Sequence, residues 1–237
     1  MVKYESYKVT IEFTRRVVGA LPKNPDVIDA WAQARAKKNN RTEEEAREIA
    51  EKIKEEVQAD IVEKSWVCFK SDSTGLYLED RNIKAMLREC ATTLGTFRGT
   101  GSVAKRQTFQ HGLFVEPERI YFMRDGKPIA CPDGQQERAI HVMTAMGPRD
   151  SLKREDYIDP PVSMEFRIDV VVQSDRKQAF ITEDILQEWL ELGQRIGLGG
   201  SRSQQFGKFE VVSFESVTNQ TRSGHTKQTN HARPTQL

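Results

Sequence analysis

The fold of this chain is decided by one stretch: Ile196-Gly197-Leu198-Gly199-Gly200-Ser201-Arg202-Ser203-Gln204-Gln205-Phe206-Gly207-Lys208-Phe209. Upstream of it, Thr182 is a typical N-cap, and apolar residues follow at helical spacing, which predicts a helix. Downstream, apolar and polar residues alternate from Phe209 to Phe214, which predicts a strand. The order is helix, glycine-rich loop, strand. Rossmann loops and P-loops have the opposite order, since their glycines follow a strand and open a helix, so this loop is neither.

The composition of this glycine loop (residues 197–208) suits contact with a polyanion. Its four glycines relax the backbone, and its serines and glutamines add neutral hydrogen-bonding groups. Two cations stand in it without a neighbouring carboxylate, and phosphates are held by such groups. A long connector to an edge strand explains the same composition equally well. The candidate contacts are Gly197, Gly199, Gly200, Ser201, Arg202, Ser203, Gln204, Gln205, Gly207 and Lys208.

The first part of the chain predicts a strand followed by an inserted helical hairpin at 24–64. Residues 7–14 alternate as a central strand does, and Arg15 and Arg16 stand at its end as further candidate contacts, although strand-end arginines are usually only solvated. Asn24 begins one helix, and a capping box from Thr42 begins a second helix that we expect to reach about Lys64. Residues 42–64 carry nine acidic and four basic side chains. This acidity argues against nucleic-acid contact and favours solvation or a protein neighbour.

Cations recur in the segments that follow the hairpin. Arg81, Lys84 and Arg88 share one face of a helix predicted from Arg81 to Leu94, where simple solvation is the alternative. No carboxylate occurs from Cys90 to Val115. Because glycines, cations and phenylalanines mix there, we predict a mobile basic loop over 95–112 that contacts single-stranded RNA, with a structural connector as the alternative. Its candidate residues are Arg98, Lys105 and Arg106.

The remaining chain predicts further strands at 113–115, 119–123, 140–146 and 162–173. Between the last two, 147–161 reads as a charged loop, and 216–237 reads as a disordered polar tail. These elements together favour an α+β fold, and we predict that residues 1–215 form a single elaborated domain.

Composition excludes several classes of protein. The chain has 237 residues, 30% of them charged, and no apolar run long enough for a secretion signal or a membrane span. Its three cysteines are widely spaced, which fits a reduced, cytoplasmic location and argues against a structural zinc site. No metal cluster or nucleophile–base pair is evident from spacing, and no cofactor is expected.

Two motifs resemble the RAMP superfamily of CRISPR-associated RNA-binding proteins. The first is the run from Gly197 to Phe209, which in that family also lies between the last helix and the last strand of a ferredoxin-like module. The second is Gly75-Leu76-Tyr77-Leu78-Glu79-Asp80-Arg81-Asn82-Ile83-Lys84-Ala85-Met86-Leu87-Arg88, which looks like the segment of the backbone subunit that enters its first helix. The resemblance implies a ferredoxin-like (RRM-like) antiparallel sheet with helices on one face.

The resemblance also implies a function: a sequence-tolerant subunit that holds single-stranded guide RNA in a ribonucleoprotein complex. Its partners would be copies of itself, other effector-complex subunits and possibly target nucleic acid, with no membrane.

Two alternatives stay open. One is an endoribonuclease of the same superfamily, but processing relatives carry an early catalytic His, and the first His here is His111. Cutting relatives use an Asp in a loop of the first module; Asp26 and Asp29 are candidates, but both lie inside a helix start and the surrounding motif does not match. The other is a scaffold or regulatory protein that keeps the fold and binds protein.

Overall fold

The computed structural model describes residues 2–60, 64–99, 101–144, 147–172 and 181–217, and within them the side chains of all but 141–144 and 149–151. The helices are α1 Pro25–Lys38, α2 Glu43–Glu56, α3 Asp80–Thr93, α4 Ser102–Gly112 and α5 Glu183–Ile196. The strands are β1 Tyr4–Phe13, β2 Val17–Val18, β3 Leu21–Pro22, β4 Trp66–Cys68, β5 Lys70–Ser71, β6 Leu76–Glu79, β7 Leu113–Glu116, β8 Arg119–Tyr121, β9 Met123–Arg124, β10 Lys127–Pro128, β11 Gly134–Thr144, β12 Gly147–Ile158, β13 Ser163–Val171 and β14 Phe209–Val217.

The central sheet has six strands, four of which pair antiparallel in the order β14, β1, β13, β7, while β9 also pairs with β13 and β10 pairs with β9. Along the chain, β1, α3, β7, β13, α5 and β14 give the βαββαβ connectivity of a ferredoxin-like fold. The fold is therefore α+β, as the sequence predicts, and β1 lies between β14 and β13 in the sheet.

The hydrophobic core lies between this sheet and the helices α3 and α5. Alternate residues of β1 are buried, among them Val9, Ile11 and Phe13, because successive side chains of a strand point to opposite faces. Leu87 of α3 and Trp189 of α5 are fully buried against them. Each such side chain contributes about 1.5–3 kcal/mol through the area that it removes from water.

The other face of the central sheet is open and carries mostly acidic side chains. Lys8 in β1 forms an ion pair with Glu165 in β13, with Nζ and Oε2 2.9 Å apart. Glu12 and Glu210 are exposed at facing positions of β1 and β14. Like charges at such positions repel an approaching polyanion, so this face does not favour nucleic acid.

The inserted hairpin forms between β1 and α3, with the caps that the sequence predicts. Asn24 accepts hydrogen bonds from the first-turn N–H groups of α1. Thr42 and Glu45 form the capping box of α2. The second helix ends at Glu56, earlier than expected, because the backbone turns into the left-handed region at Gln58. Residues 61–63 lie outside the described chain.

Two segments differ from the sequence-based expectation. Where we expected a mobile loop over 95–112, α4 occupies Ser102–Gly112, because the ring of Phe109 is buried in edge contact with the rings of Phe97 and Trp189. Where we expected a charged loop at 147–161, β12 pairs along its whole length with β11. The expected tail lies outside the described residues from 218 onward, and β14 continues to Val217.

Candidate nucleic-acid interface

The glycine loop joins α5 to β14 and folds back on itself. Leu198 donates its N–H to the carbonyl oxygen of Gly207 at 2.9 Å. A Cβ on Gly207, which has φ of +67°, would lie 1.7 Å from the carbonyl oxygen of Leu198. Only glycine permits an approach this close.

The same loop packs against the segment that follows β1. The N–H of Gly200 donates to the carbonyl oxygen of Val18, and the N–H of Gly207 donates to that of Arg16, each at 2.8 Å. A Cβ on Gly200 would lie 2.2 Å from the carbonyl oxygen of Gly19. These two N–H groups are thus used within the protein, and the glycines at 200 and 207 serve close backbone packing.

A buried carboxylate anchors the loop to the hairpin of β11 and β12. Glu155 of β12 is 0% exposed. Burial alone would raise the pKa of this carboxyl group, but hydrogen bonds from its four partners lower it to about 2. The donors are Lys153, Ser201, Gln136 and Arg138. We call Glu155 and these four side chains the Glu155 cluster.

Arg138 carries most of the contact between the cluster and the loop. Its guanidinium group donates to both Glu155 and Ser201, and also to the side-chain oxygen of Gln204. The same group lies 4.9 Å from the ring centroid of Phe206. Arg138, Lys153 and Glu155 are not predictable as site residues, because nothing in the local sequence shows that β12 meets the glycine loop.

The cluster contains more positive than negative charge. The side chains of Arg138 and Lys153 are both 23% exposed, and they share the single carboxylate of Glu155. Among the side chains that the structure describes, the cluster therefore carries one net positive charge beside the glycine loop. An anion at this position is favoured.

The loop also reaches the middle of α3. Arg202 lies in a single 3₁₀ turn, Arg202–Gln204, and its Nη1 is 2.9 Å from Oε2 of Glu89. Ser203 and Gln205 are exposed beside it, and Lys208 is half-buried at the loop's end. The carbonyl oxygen of Lys208 accepts the N–H of Arg15.

The α3 residues predicted to share a face do so, but they have different surroundings. Arg81 pairs with Glu79. Lys84 donates to the carbonyl oxygens of Gln110 at 2.9 Å and Leu113 at 2.6 Å, and burial lowers the pKa of its ammonium group. Lys84 thus helps to hold the end of α4.

A groove of about 690 Å³ lies between α3 and α4. We call it the α3–α4 groove. Arg88 and Arg106 are exposed on its two sides, and within the part of the chain that the structure describes neither has an ion-pair partner. The rings of Phe97 and Phe109 contribute apolar surface to the lining. The four cations that line it are Arg81, Lys84, Arg88 and Arg106.

The remaining candidate residues lie outside the groove. Arg16 is held by Asp159, with Nε 2.7 Å from Oδ1, and its guanidinium lies 3.6 Å from the ring centroid of Tyr157. Arg15 is exposed next to it. Lys105 donates to the carbonyl oxygen of Arg98 at 3.2 Å, and Arg98 itself is exposed.

Most of the candidates lie in two groups, and Arg98 and Lys105 lie in neither. The first contains the glycine loop with the strand-end arginines Arg15 and Arg16, and the second contains the α3–α4 groove. Arg202 connects the two groups through Glu89, the neighbour of Arg88. The result is a surface of cations that runs from the loop along α3.

The groups considered for cleavage have other roles or lie apart. Asp29 pairs with Lys54 across the helical hairpin at 2.8 Å, and Asp26 lies in the first turn of α1. His111 ends α4 as an exposed residue. Among the described residues, no group of three His, Cys, Asp or Glu side chains is placed to hold a metal ion.

No family model matches the sequence. No curated protein matches it. The chain is similar to a protein chain in the cryo-EM structure of the Type III-B Cmr-beta bound to cognate target RNA. The two are 14% identical with a TM-score of 0.45, and the match covers 91% of this chain.

That neighbour is longer, since the match covers 61% of it. Within the described residues, no helix has both the length and the apolar character to cross a membrane.

Proposed function

We propose that this protein binds single-stranded RNA through its phosphates, as a sequence-tolerant backbone subunit of a CRISPR-type ribonucleoprotein complex. The observation that carries the proposal is the α3–α4 groove, where Arg88 and Arg106 are exposed with no ion-pair partner among the described residues. Exposed cations of this kind neutralise phosphates and hold a single strand without reading its sequence.

The distribution of charge supports this placement. The open face of the central sheet is acidic, with Glu12, Glu165 and Glu210 upon it, so a strand of RNA is disfavoured there. The helical side carries the groove cations, and Arg202 extends them to the glycine loop. RNA would therefore follow α3 towards the loop and contact the side of the module opposite the open sheet face.

The sequence resemblance to RAMP backbone subunits supports a further part of the proposal, that the protein assembles along RNA. In this proposal several copies line one RNA, each copy covering a short segment, together with other subunits of the complex. The groups available at the groove are guanidinium and ammonium groups, which neutralise phosphates, and amide groups, which can donate hydrogen bonds to them. The proposed role is therefore to hold the RNA.

The test begins with the purified protein. Its absorbance ratio and the sequences of any co-purified nucleic acid show whether it carries RNA. The protein is then titrated at low salt into labelled single-stranded RNA, single-stranded DNA and duplex RNA. The molecular masses of its complexes with RNAs of increasing length are also measured. We expect preference for single-stranded RNA and masses that rise in steps. Nucleic-acid-free protein that leaves single-stranded RNA unbound at low salt would overturn the proposal.

A further inference from the structure

Glu155 is a charged side chain with no exposed surface. Burial of a carboxylate costs free energy, so a contribution to stability alone does not explain why one is buried here. Both carboxylate oxygens are used: Oε1 accepts from Ser201 at 2.5 Å and from Lys153 at 2.7 Å, and Oε2 accepts from Arg138 at 2.6 Å. Two of these partners belong to the hairpin of β11 and β12, and the third belongs to the glycine loop.

Ser201 is held in a backbone conformation that a serine rarely adopts. It has φ of +50° and ψ of +32°, in the left-handed region. Its hydroxyl group makes three contacts: it donates to Glu155, and it accepts from Lys153 at 3.1 Å and from Arg138 at 3.2 Å. These contacts offset the backbone strain and fix the residue just before the 3₁₀ turn that carries Arg202.

The rest of the turn depends on the same cluster. Gln205 closes the turn, also in the left-handed region with φ of +72°. Arg138 contacts the side chain of Gln204, which lies between the two strained residues, and its guanidinium lies close to the ring of Phe206, which follows them. The shape of residues 201–206 is thus set by side chains of β11 and β12 and only partly by the loop itself.

We propose that Glu155 is a positioning residue for the RNA site: it holds the glycine loop, through Ser201, in the shape that directs Arg202 and the exposed Ser203 and Gln205 towards RNA. The proposal rests on the proposed function. It adds a residue of β12, buried and distant from solvent, to the groups on which RNA affinity depends.

The substitution Glu155→Gln distinguishes a positioning role from a purely electrostatic one, because the two roles predict opposite changes in RNA affinity. Removing a negative charge beside a phosphate site strengthens binding if charge alone matters. If Glu155 positions the loop, the same substitution weakens binding. We expect the dissociation constant for single-stranded RNA to rise about tenfold, which corresponds to about 1.4 kcal/mol.

Two further variants keep the test decisive if Glu155→Gln impairs folding. Ser201→Ala leaves every charge of the cluster in place and removes only its hydroxyl link to the loop, so it should also weaken binding. Ser201→Gly added to Glu155→Gln should restore part of the affinity, because glycine adopts the left-handed conformation without the strain of a side chain. The control is Gln135→Ala, which removes a hairpin side chain that bonds Arg154 and lies outside the cluster.

Hydrogen exchange of the free protein gives a readout that requires no RNA. Amides of residues 198–206 should exchange faster in Glu155→Gln and Ser201→Ala than in the wild type and the control, with the core helices α3 and α5 unchanged. Unchanged loop exchange, or RNA binding by Glu155→Gln as tight as that of the wild type or tighter, would overturn the proposal. If the wild type does not bind RNA, the proposed function fails, and the exchange measurement still decides whether Glu155 holds the loop.

Discussion

Arg202 of the glycine loop and Glu89 of α3 form an ion pair, with Nη1 and Oε2 2.9 Å apart. Their side chains are 36% and 48% exposed, so the pair itself contributes only about 0.2–1 kcal/mol to stability. If RNA binds as proposed, Glu89 competes with a phosphate for the guanidinium group of Arg202 at the point where the loop contacts α3.

We therefore expect Glu89→Gln to strengthen binding of single-stranded RNA about two- to fivefold at low salt, since it removes that competition and one repulsive charge. The gain should shrink as salt is added, because exposed charges are screened. Fluorescence anisotropy over a salt series measures it. Glu191→Gln, at an exposed position of α5, makes the same change in charge. An equal gain in affinity there would show that net charge alone is responsible.

The groove cations should act through phosphates. Replacing both Arg88 and Arg106 with Gln should weaken binding equally for all RNA sequences and lower the slope of log affinity against log salt by about 1.4, at about 0.7 for each single-strand phosphate contact. The matched control replaces Arg47 and Lys52, exposed cations of α2, with Gln. A loss that depends on RNA sequence, or the same loss in the control, would remove the groove from the site.

Gly200→Ala should destabilise the whole fold. Its Cβ would lie 2.2 Å from the carbonyl oxygen of Gly19, and the two backbone segments cannot separate without losing the hydrogen bond to Val18. We expect a loss of roughly 1–3 kcal/mol in denaturant unfolding, as for other overpacked sites. At Gly112 the nearest atom to an added Cβ is 3.6 Å away, so Gly112→Ala should be tolerated. Equal stability of both variants would contradict this account.

Asp156 should make stability depend on pH. Burial raises the pKa of this carboxyl group, and the hydrogen bond from Trp66 and the charges of Lys23 and Arg154 offset the rise only in part. Because the folded pKa exceeds the unfolded one, Asp156 favours folding below its unfolded pKa of about 4 and loses that contribution as pH rises through its folded pKa.

Asp156→Asn should therefore raise the melting temperature at neutral pH, since Asn still accepts from Trp66 at a side chain that carries no charge. The difference from the wild type should vanish as the pH falls below about 4. Thermal unfolding at several pH values measures it. A variant that is less stable at neutral pH would mean that the charge of Asp156 is needed, most directly by Lys23 and Arg154.

The purified protein should bind RNA and leave it intact with or without magnesium. Cleavage requires a base for the 2′-hydroxyl group or a metal-activated water. Asp29 is instead paired with Lys54, and His111 lies alone at the end of α4. Denaturing gels of labelled RNA measure the outcome. Products that need magnesium and vanish in Asp26→Ala or Asp29→Ala, or metal-independent products that vanish in His111→Ala, would show a nuclease.

Local signals in the sequence predicted the elements that depend on neighbouring residues. The N-cap at Asn24 and the capping box of Thr42 and Glu45 form as expected, because their hydrogen bonds span only three residues. The strong alternation of β1 and the order of α5, glycine loop and β14 were also predictable. Together with the resemblance to RAMP modules, they were enough for the ferredoxin-like sheet.

Only the tertiary structure decided the rest, because the forces involved act between residues far apart in the chain. The segment of α4 lacks a side-chain N-cap, and burial of Phe109 against Trp189 stabilises it as a helix. The charged residues of β12 predict a loop from the sequence, and pairing with β11 makes them a strand. Glu155 and Ser201 are 46 residues apart, and a carboxylate in a polar run shows its burial and its partners only once the chain has folded.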